Sequence, residues 1–252
     1  MYILIFILGI MIGSFLNKHI YKILRKESIQ FSELYCIHCS NPLKLYNLTS
    51  IFSYIFHKRK CRYFGKQISL LYLMVEFING LTYLVLFHYF GLSLKFIYFS
   101  LIISILIVIS IIDYFHQIIP NYLLFIMIIT IVLYKIIDFI IYGTPAISLD
   151  GIIGFFAAGL SFTIIALISN GGMGGGDIKL IAILGFILGL KKIILNIILS
   201  FIIGAIISLF LLLSRKKERK DTIPFGPFIN ISFIISLLWG ESIIKLYINK
   251  FM

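Results

Sequence analysis

Residues 93–113 read Ser93-Leu94-Lys95-Phe96-Ile97-Tyr98-Phe99-Ser100-Leu101-Ile102-Ile103-Ser104-Ile105-Leu106-Ile107-Val108-Ile109-Ser110-Ile111-Ile112-Asp113. From Phe96 to Ile112 no side chain carries a charge. A run of about 20 apolar residues is the length that takes an α-helix across the ~30 Å hydrocarbon core of a bilayer. Inside lipid the backbone must satisfy its own hydrogen bonds, and a helix does so. The stretch therefore reads as a membrane-spanning helix that closes on a carboxylate.

The same reading extends outward in both directions. Comparable apolar runs occupy roughly 2–24, 69–90, 120–142, 150–169, 177–190, 192–213 and 223–248, all but 177–190 near the length that spans a bilayer. With 93–113 they make eight spans. The run 177–190 is the weakest, being short and crowded by Lys191-Lys192. Pro120, Gly143-Thr144-Pro145, the glycines of 171–176 and Pro224 fall at the boundaries, where helix interiors would not tolerate them cheaply. The first run has no basic residues before it and no small-residue cleavage site after it, so it reads as a retained helix and not a signal peptide. The expected fold is an all-α polytopic integral membrane protein of about eight transmembrane helices. Residues 1–24 form the first helix, 25–67 a small basic cytoplasmic loop domain, and 68–252 a seven-helix core.

Composition supports this class. Of 252 residues, 61% are hydrophobic and 13% charged, against about 25% charged in a soluble domain. The mean hydropathy is +1.08. A soluble enzyme, a disordered chain and a disulfide-stapled secreted module are excluded. The net charge of +12 reports topology first, because Lys and Arg collect in cytoplasmic loops. They cluster here in 25–67 and in 214–221. With eight spans these are loops one and seven, which lie on the same side, so the two clusters agree and both termini lie outside. Lys191-Lys192 then falls on the outer side as a local violation. The charge thus calls for contact with anionic lipid and for no nucleic-acid partner.

The ten acidic residues narrow the functional question. Glu27, Glu33, Glu218 and Asp221 sit in the basic loops. Asp150 stands at a loop–helix junction, where an N-cap is the ordinary explanation. Asp138 and Glu241 lie within or near span ends, toward the outer face. Glu76, Asp113 and Asp177 remain, and an ionisable group at membrane depth is expensive and points to function. Asp113 closes the third span and Asp177 opens the sixth, so both fall at the cytoplasmic end at similar depth, 64 positions apart. Like charges held close cannot both ionise easily, and such a pair shares a proton and works as acid and base. The alternative is that each acid pairs separately with a lysine near the interface.

Residues 170–180 read Asn-Gly-Gly-Met-Gly-Gly-Gly-Asp-Ile-Lys-Leu. A glycine-rich turn into a helix can cradle phosphate, but this one lacks the Gly-Lys-Ser/Thr end of a P-loop, and Asp177 would repel phosphate. The other use of glycine is close backbone approach, here of a peptide bond reaching Asp177.

These residues resemble a known family. Gly174-Gly175-Gly176-Asp177 fits the Gly-x-Gly-Asp motif of membrane aspartyl proteases, followed by Ile178-Lys179-Leu180. Ile112-Asp113 through Ile119-Pro120-Asn121 is similar to the first catalytic motif of type IV prepilin peptidases. Gly13-Ser14-Phe15-Leu16-Asn17 resembles their first-helix signature, and Pro224-Phe225-Gly226-Pro227-Phe228 resembles the start of their last helix. Glu76 and Gly80 also match. The resemblance is collinear over nearly the whole chain. Presenilin-like proteases share Gly-x-Gly-Asp without the other motifs.

The resemblance implies a multi-pass peptidase of the bacterial cytoplasmic (inner) membrane with its active site facing the cytoplasm. Such an enzyme removes the basic leader of type IV prepilins or pseudopilins after a glycine, and in many members it N-methylates the new N-terminus with S-adenosylmethionine. By carry-over Asp113 and Asp177 are the catalytic pair. Gly174, Gly176, Lys179 and Glu76 are substrate-binding or supporting residues. Proteolysis itself requires no cofactor.

Longer members carry two Cys-x-x-Cys pairs that can bind zinc between the first two spans. Here Cys36-Ile37-His38-Cys39 is complete, whereas Cys61-Arg62-Tyr63-Phe64 has lost its last cysteine. Cys36, Cys39 and Cys61 are the metal candidates. His57 is a candidate fourth ligand, since zinc accepts a Cys₃His set. Reduced thiols in a cytoplasmic loop are the alternative. The rival from another class is an ion-coupled transporter using the two aspartates as a proton relay, although the internal repeat usual in transporters is not found.

Overall fold

The computed structural model of the chain describes residues 1–24, 70–144, 148–169, 172–214 and 222–251. Its regular elements, among these residues, are all helices: α1 (Tyr2–Leu24), α2 (Leu70–Phe90), α3 (Leu94–His116), α4 (Asn121–Tyr142), α5 (Leu149–Ile168), α6 (Gly175–Leu213) and α7 (Gly226–Phe251). All seven contain a stretch long and apolar enough to cross a membrane. The loop domain expected over 25–67, with Cys36, Cys39, His57 and Cys61, lies outside the described residues. The chain divides into two compact units, Met1–Val108 and Ile109–Met252, with the division inside α3.

In the first unit α1 packs on α2 through small residues. A Cβ on Gly9 would come within 2.8 Å of Gly80 Cα, and one on Gly13 within 2.8 Å of Glu76 Cα. Lipid tails are as apolar as leucine, so helices in a membrane associate by close backbone approach and interhelical hydrogen bonds. The hydrogen bonds are present. Asn79 Nδ2 donates to Gly9 O at 2.7 Å, Ser104 Oγ donates to Asn79 Oδ1 at 3.0 Å, and Asn17 Nδ2 donates to Tyr72 O at 2.9 Å. The Gly13-to-Asn17 signature is thus a packing motif in this unit.

The second unit contains a reversal that resolves the span count. Two of the eight apolar runs, 177–190 and 192–213, join in the single element α6. Gly189 inside it is not helical, with φ 75° and ψ 173°. Before Gly189 the chain runs antiparallel to α5. Gly151 meets Phe186, Gly154 meets Gly185, and Gly159 meets Ala182. After Gly189 it runs parallel to α5, because Leu190 lies at Asp150 and the Phe201 ring is 6.0 Å from that of Phe162. The chain therefore turns back at Gly189, and the 39-residue element is two limbs of a hairpin. A positive φ of this size suits glycine and few other residues.

Two polar contacts hold the turn. Leu190 N–H donates to Asp150 Oδ1 at 3.1 Å, so the carboxylate caps the second limb, whose first N–H groups have no partner within the helix. Ser148 is the cap of α5 itself, its Oγ accepting from Gly151 N at 3.2 Å. The N-cap expected at Asp150 exists, but it serves a helix 40 positions away. Lys192, next to the turn, pairs with Glu241 of α7 at 2.8 Å.

Candidate active site

Asp113 lies in the last turn of α3 and is buried, with 4% exposure. Its Oδ2 accepts the N–H of Gly226, the first residue of α7, at 2.9 Å. A helix start offers N–H groups without intrahelical partners and a partial positive charge, and here one of those groups meets a carboxylate. The approach needs glycine, because a Cβ on Gly226 would stand 2.7 Å from Asp113 Oδ2.

Asp177 is the third residue of α6, after its N-cap Gly174. Its N–H donates to Gly174 O at 3.1 Å, and its carboxylate takes a backbone hydrogen bond from Gly174. The carboxylate thus serves as the N3 half of a capping box, while glycine at the N-cap has no side chain to return the bond. The motif glycines have separate reasons. A Cβ on Gly174 would lie 3.2 Å from Asp177 Oδ2, and one on Gly176 only 2.8 Å from Ile119 Cβ, whereas Gly175 faces open space. Gly176 thus lets α6 close on the segment that follows Asp113.

That segment ties the helix ends together. Gln117 adopts a left-handed φ of 55°. Its Nε2 donates to Thr222 O at 3.2 Å, and Thr222 Oγ1 returns a bond to Gln117 Oε1 at 2.8 Å. Lys179 Nζ donates to Asn121 Oδ1 at 3.0 Å, joining α6 to the start of α4. The carboxylates of Asp113 and Asp177 consequently lie within electrostatic reach of one another. Asp177 Oδ1 is buried and has no hydrogen-bond partner. A buried polar atom left unpaired usually marks strain, catalysis or a missing ligand.

The remaining candidates are placed as follows. Glu76 belongs to the first unit, is fully buried, and accepts from Asn17 Nδ2 at 3.4 Å. Lys179 is exposed and engaged with Asn121, not with a carboxylate of its own. Cys36, Cys39, Cys61 and His57 fall outside the described residues, and no cluster of three His, Cys, Asp or Glu occurs among the described ones. Sequence reasoning did not find the contacts of Gln117 and Thr222 or the donor role of Gly226. The Pro-Phe-Gly-Pro punctuation at 224–227 was the visible signal for the latter.

Comparison with known proteins places this geometry in context. Residues 7–90 match the family model for the bacterial peptidase A24 N-terminal domain, and residues 100–209 match that of the type IV leader peptidase family. The chain is 32% identical over 247 residues to a prepilin leader peptidase/N-methyltransferase of Bacillus subtilis, covering 98% of this chain and 97% of the relative. It is 29% identical to the protein of that name from Legionella pneumophila, over 100% and 96% of the two chains. It is 27% identical to the one from Stutzerimonas stutzeri, over 96% and 92%. No solved structure matches the chain.

Proposed function

The chain belongs to the type IV leader peptidase family, and from that premise we propose that Asp113 and Asp177 are the catalytic pair of an aspartic endopeptidase. It is a multi-pass membrane protein that processes prepilins. The observation that carries the catalytic reading is that Asp113 and Asp177 lie at helix ends within electrostatic reach of one another, with Asp177 Oδ1 buried and unpartnered.

The pair begins with one proton between two carboxyl groups. The ionised carboxylate takes a proton from water as the water oxygen attacks the scissile carbonyl carbon. The protonated partner gives its proton to the carbonyl oxygen. In the collapse of the tetrahedral intermediate the C–N bond breaks, the first group passes its proton to the leaving amine, and the second recovers one from the intermediate's hydroxyl. The pair ends as it began, and no covalent enzyme intermediate forms. Asp113 Oδ2 is held by Gly226 and one oxygen of Asp177 by Gly174, which leaves Asp177 Oδ1 for proton traffic.

The active site faces the cytoplasm in this reading, at the inner membrane, because the basic loops flank it in sequence. Gly174 and Gly176 act as supporting residues that let Asp177 and Ile119 approach, Lys179 stands at the site's edge, and Glu76 is a supporting residue of the first unit. Three thiolates and an imidazole suit zinc. Cys36, Cys39, Cys61 and His57 would hold it as a structural ion that orders the loop. N-methylation, with S-adenosylmethionine as donor, is the second activity proposed, and no described residue is assigned to it.

The test is purified protein in lipid, mixed with a model prepilin and read by intact mass. Asp177→Asn serves as control, and S-adenosylmethionine is added to half the samples. A leader-sized loss with wild type only is expected, and a further methyl mass reports the transferase. Cleavage by Asp177→Asn at the wild-type rate would overturn the assignment.

A further inference from the structure

The contact between Asp113 and Gly226 is one rung of a ladder. One turn deeper on α3, Ser110 Oγ accepts from Asn230 Nδ2 at 2.7 Å. Just past the end of α3 and before the start of α7, Gln117 and Thr222 exchange two hydrogen bonds. Positions 110, 113 and 117 on one side meet 230, 226 and 222 on the other. The spacings are three or four residues, which between 110 and 113 and between 226 and 230 is one helical turn. The sense is antiparallel, so the rungs fix the register of α7 against α3.

Only the middle rung touches the proposed chemistry. Its donor is a backbone N–H, which cannot adjust by a side-chain rotation. Its position is that of the α7 backbone, and a slip of α7 along α3 would move the N–H off Asp113 Oδ2. Sterics do not fix that slip, since Gly226 has no side chain. The Ser110–Asn230 rung does. Asn230 is buried at 4% exposure and Ser110 is half-buried, so the bond between them has little water to compete with it.

The geometry points to Asn230, with Ser110, as a positioning residue for the peptidase reaction: it sets the register of α7 so that the Gly226 N–H meets the Asp113 carboxylate. Asn230 acts through Gly226. The inference rests on the reading of Asp113 as catalytic.

The experiment measures kcat and KM for prepilin cleavage, with melting temperature, on the full chain in lipid. The variants are Asn230→Ala, Ser110→Ala, the double alanine variant, and the exchange Ser110→Asn with Asn230→Ser. Each single variant is expected to lose about 10- to 100-fold in kcat, the usual effect of misplacing a catalytic group by about 1 Å, with KM within about twofold. The double variant is expected to be no worse than the worse single one, because both remove one interaction. The exchange restores the pair and is expected to recover most of the loss. A kcat within twofold of wild type in the single variants would overturn the proposal, as would losses that multiply in the double variant or a fall in melting temperature with normal kcat. Asp113→Asn is the control for the underlying reading. If it cleaves normally, the catalytic assignment fails. If it is dead while Asn230→Ala is normal, the positioning role alone fails.

Discussion

Gly226 and Asp113, 113 positions apart in the chain, meet with the glycine N–H 2.9 Å from the carboxylate oxygen. The donor belongs to the first residue of a helix and is not needed by that helix. The contact therefore satisfies a buried carboxylate without taking a hydrogen bond from elsewhere, and it brings the positive end of α7 to the site.

Replacing Gly226 tests this fit. Gly226→Ala puts a methyl group 2.7 Å from Asp113 Oδ2, so the helix or the carboxylate must move. Prepilin cleavage should fall about 100-fold or more, as a displacement of about 1 Å at a reacting group commonly costs. Gly175→Ala meets nothing within 4 Å, and its activity should stay within about threefold of wild type. The same assay on both variants separates a crowded glycine from a free one.

Asp113→Asn and Asp177→Asn should each lose at least ~1,000-fold in cleavage while the protein inserts and folds. The amide oxygen at 113 still accepts the Gly226 N–H, so the architecture keeps its bond and only the proton chemistry is removed. Wild-type kcat/KM against pH should be bell-shaped, since one group must be ionised and the other protonated. A flat profile would contradict a shared proton.

Packing at the α5–α6 crossing predicts a stability effect without a catalytic one. Gly154 and Gly185 face each other so closely that a Cβ on either would collide with the other's carbonyl oxygen. Gly185→Ala should lower stability by about 1–3 kcal/mol, the usual range for overpacking, seen as a lower melting temperature in detergent.

Asp150 predicts a graded series. Asp150→Ala removes the cap on Leu190 and should cost about 0.5–2 kcal/mol, as lost N-caps do. Asp150→Asn keeps an acceptor and should retain most of the stability. Thermal melts of the two variants check this, and equal losses would show that the charge, not the cap, holds the turn.

The sequence reveals the spans because apolar length is a local property, and lipid enforces it on each segment separately. The run ending at Asp113 and the Gly-x-Gly-Asp turn at 174–177 stand out for the same reason, each being a departure from an apolar background. The split at 190/192 was legible through Lys191-Lys192, and the turn itself lies at Gly189, two residues earlier. Partnership was less legible. Nothing local says that Asp150 caps Leu190 or that Asn230 meets Ser110, because each bond depends on a helix crossing set by glycines elsewhere. The register of α7 is a tertiary property, and Asn230 in isolation reads as one polar residue in an apolar helix.

The turn at Gly189 also orders events during synthesis. Residues 175–188 give about 21 Å of helix at 1.5 Å per residue, too little to cross a ~30 Å core unaided. The limb must enter the bilayer together with 190–213, and the tip carries Lys191 and Lys192 with it. A lysine at mid-membrane costs about 2.5–3.5 kcal/mol on the insertion scale. Asp150, which grips the backbone just after the tip, leaves the ribosome before the hairpin, whereas Glu241, the counter-ion of Lys192, leaves after it. The emergence of α7 then supplies both the counter-ion of Lys192 and the N–H that holds Asp113, so the site at Asp113 is completed only after the hairpin has been made.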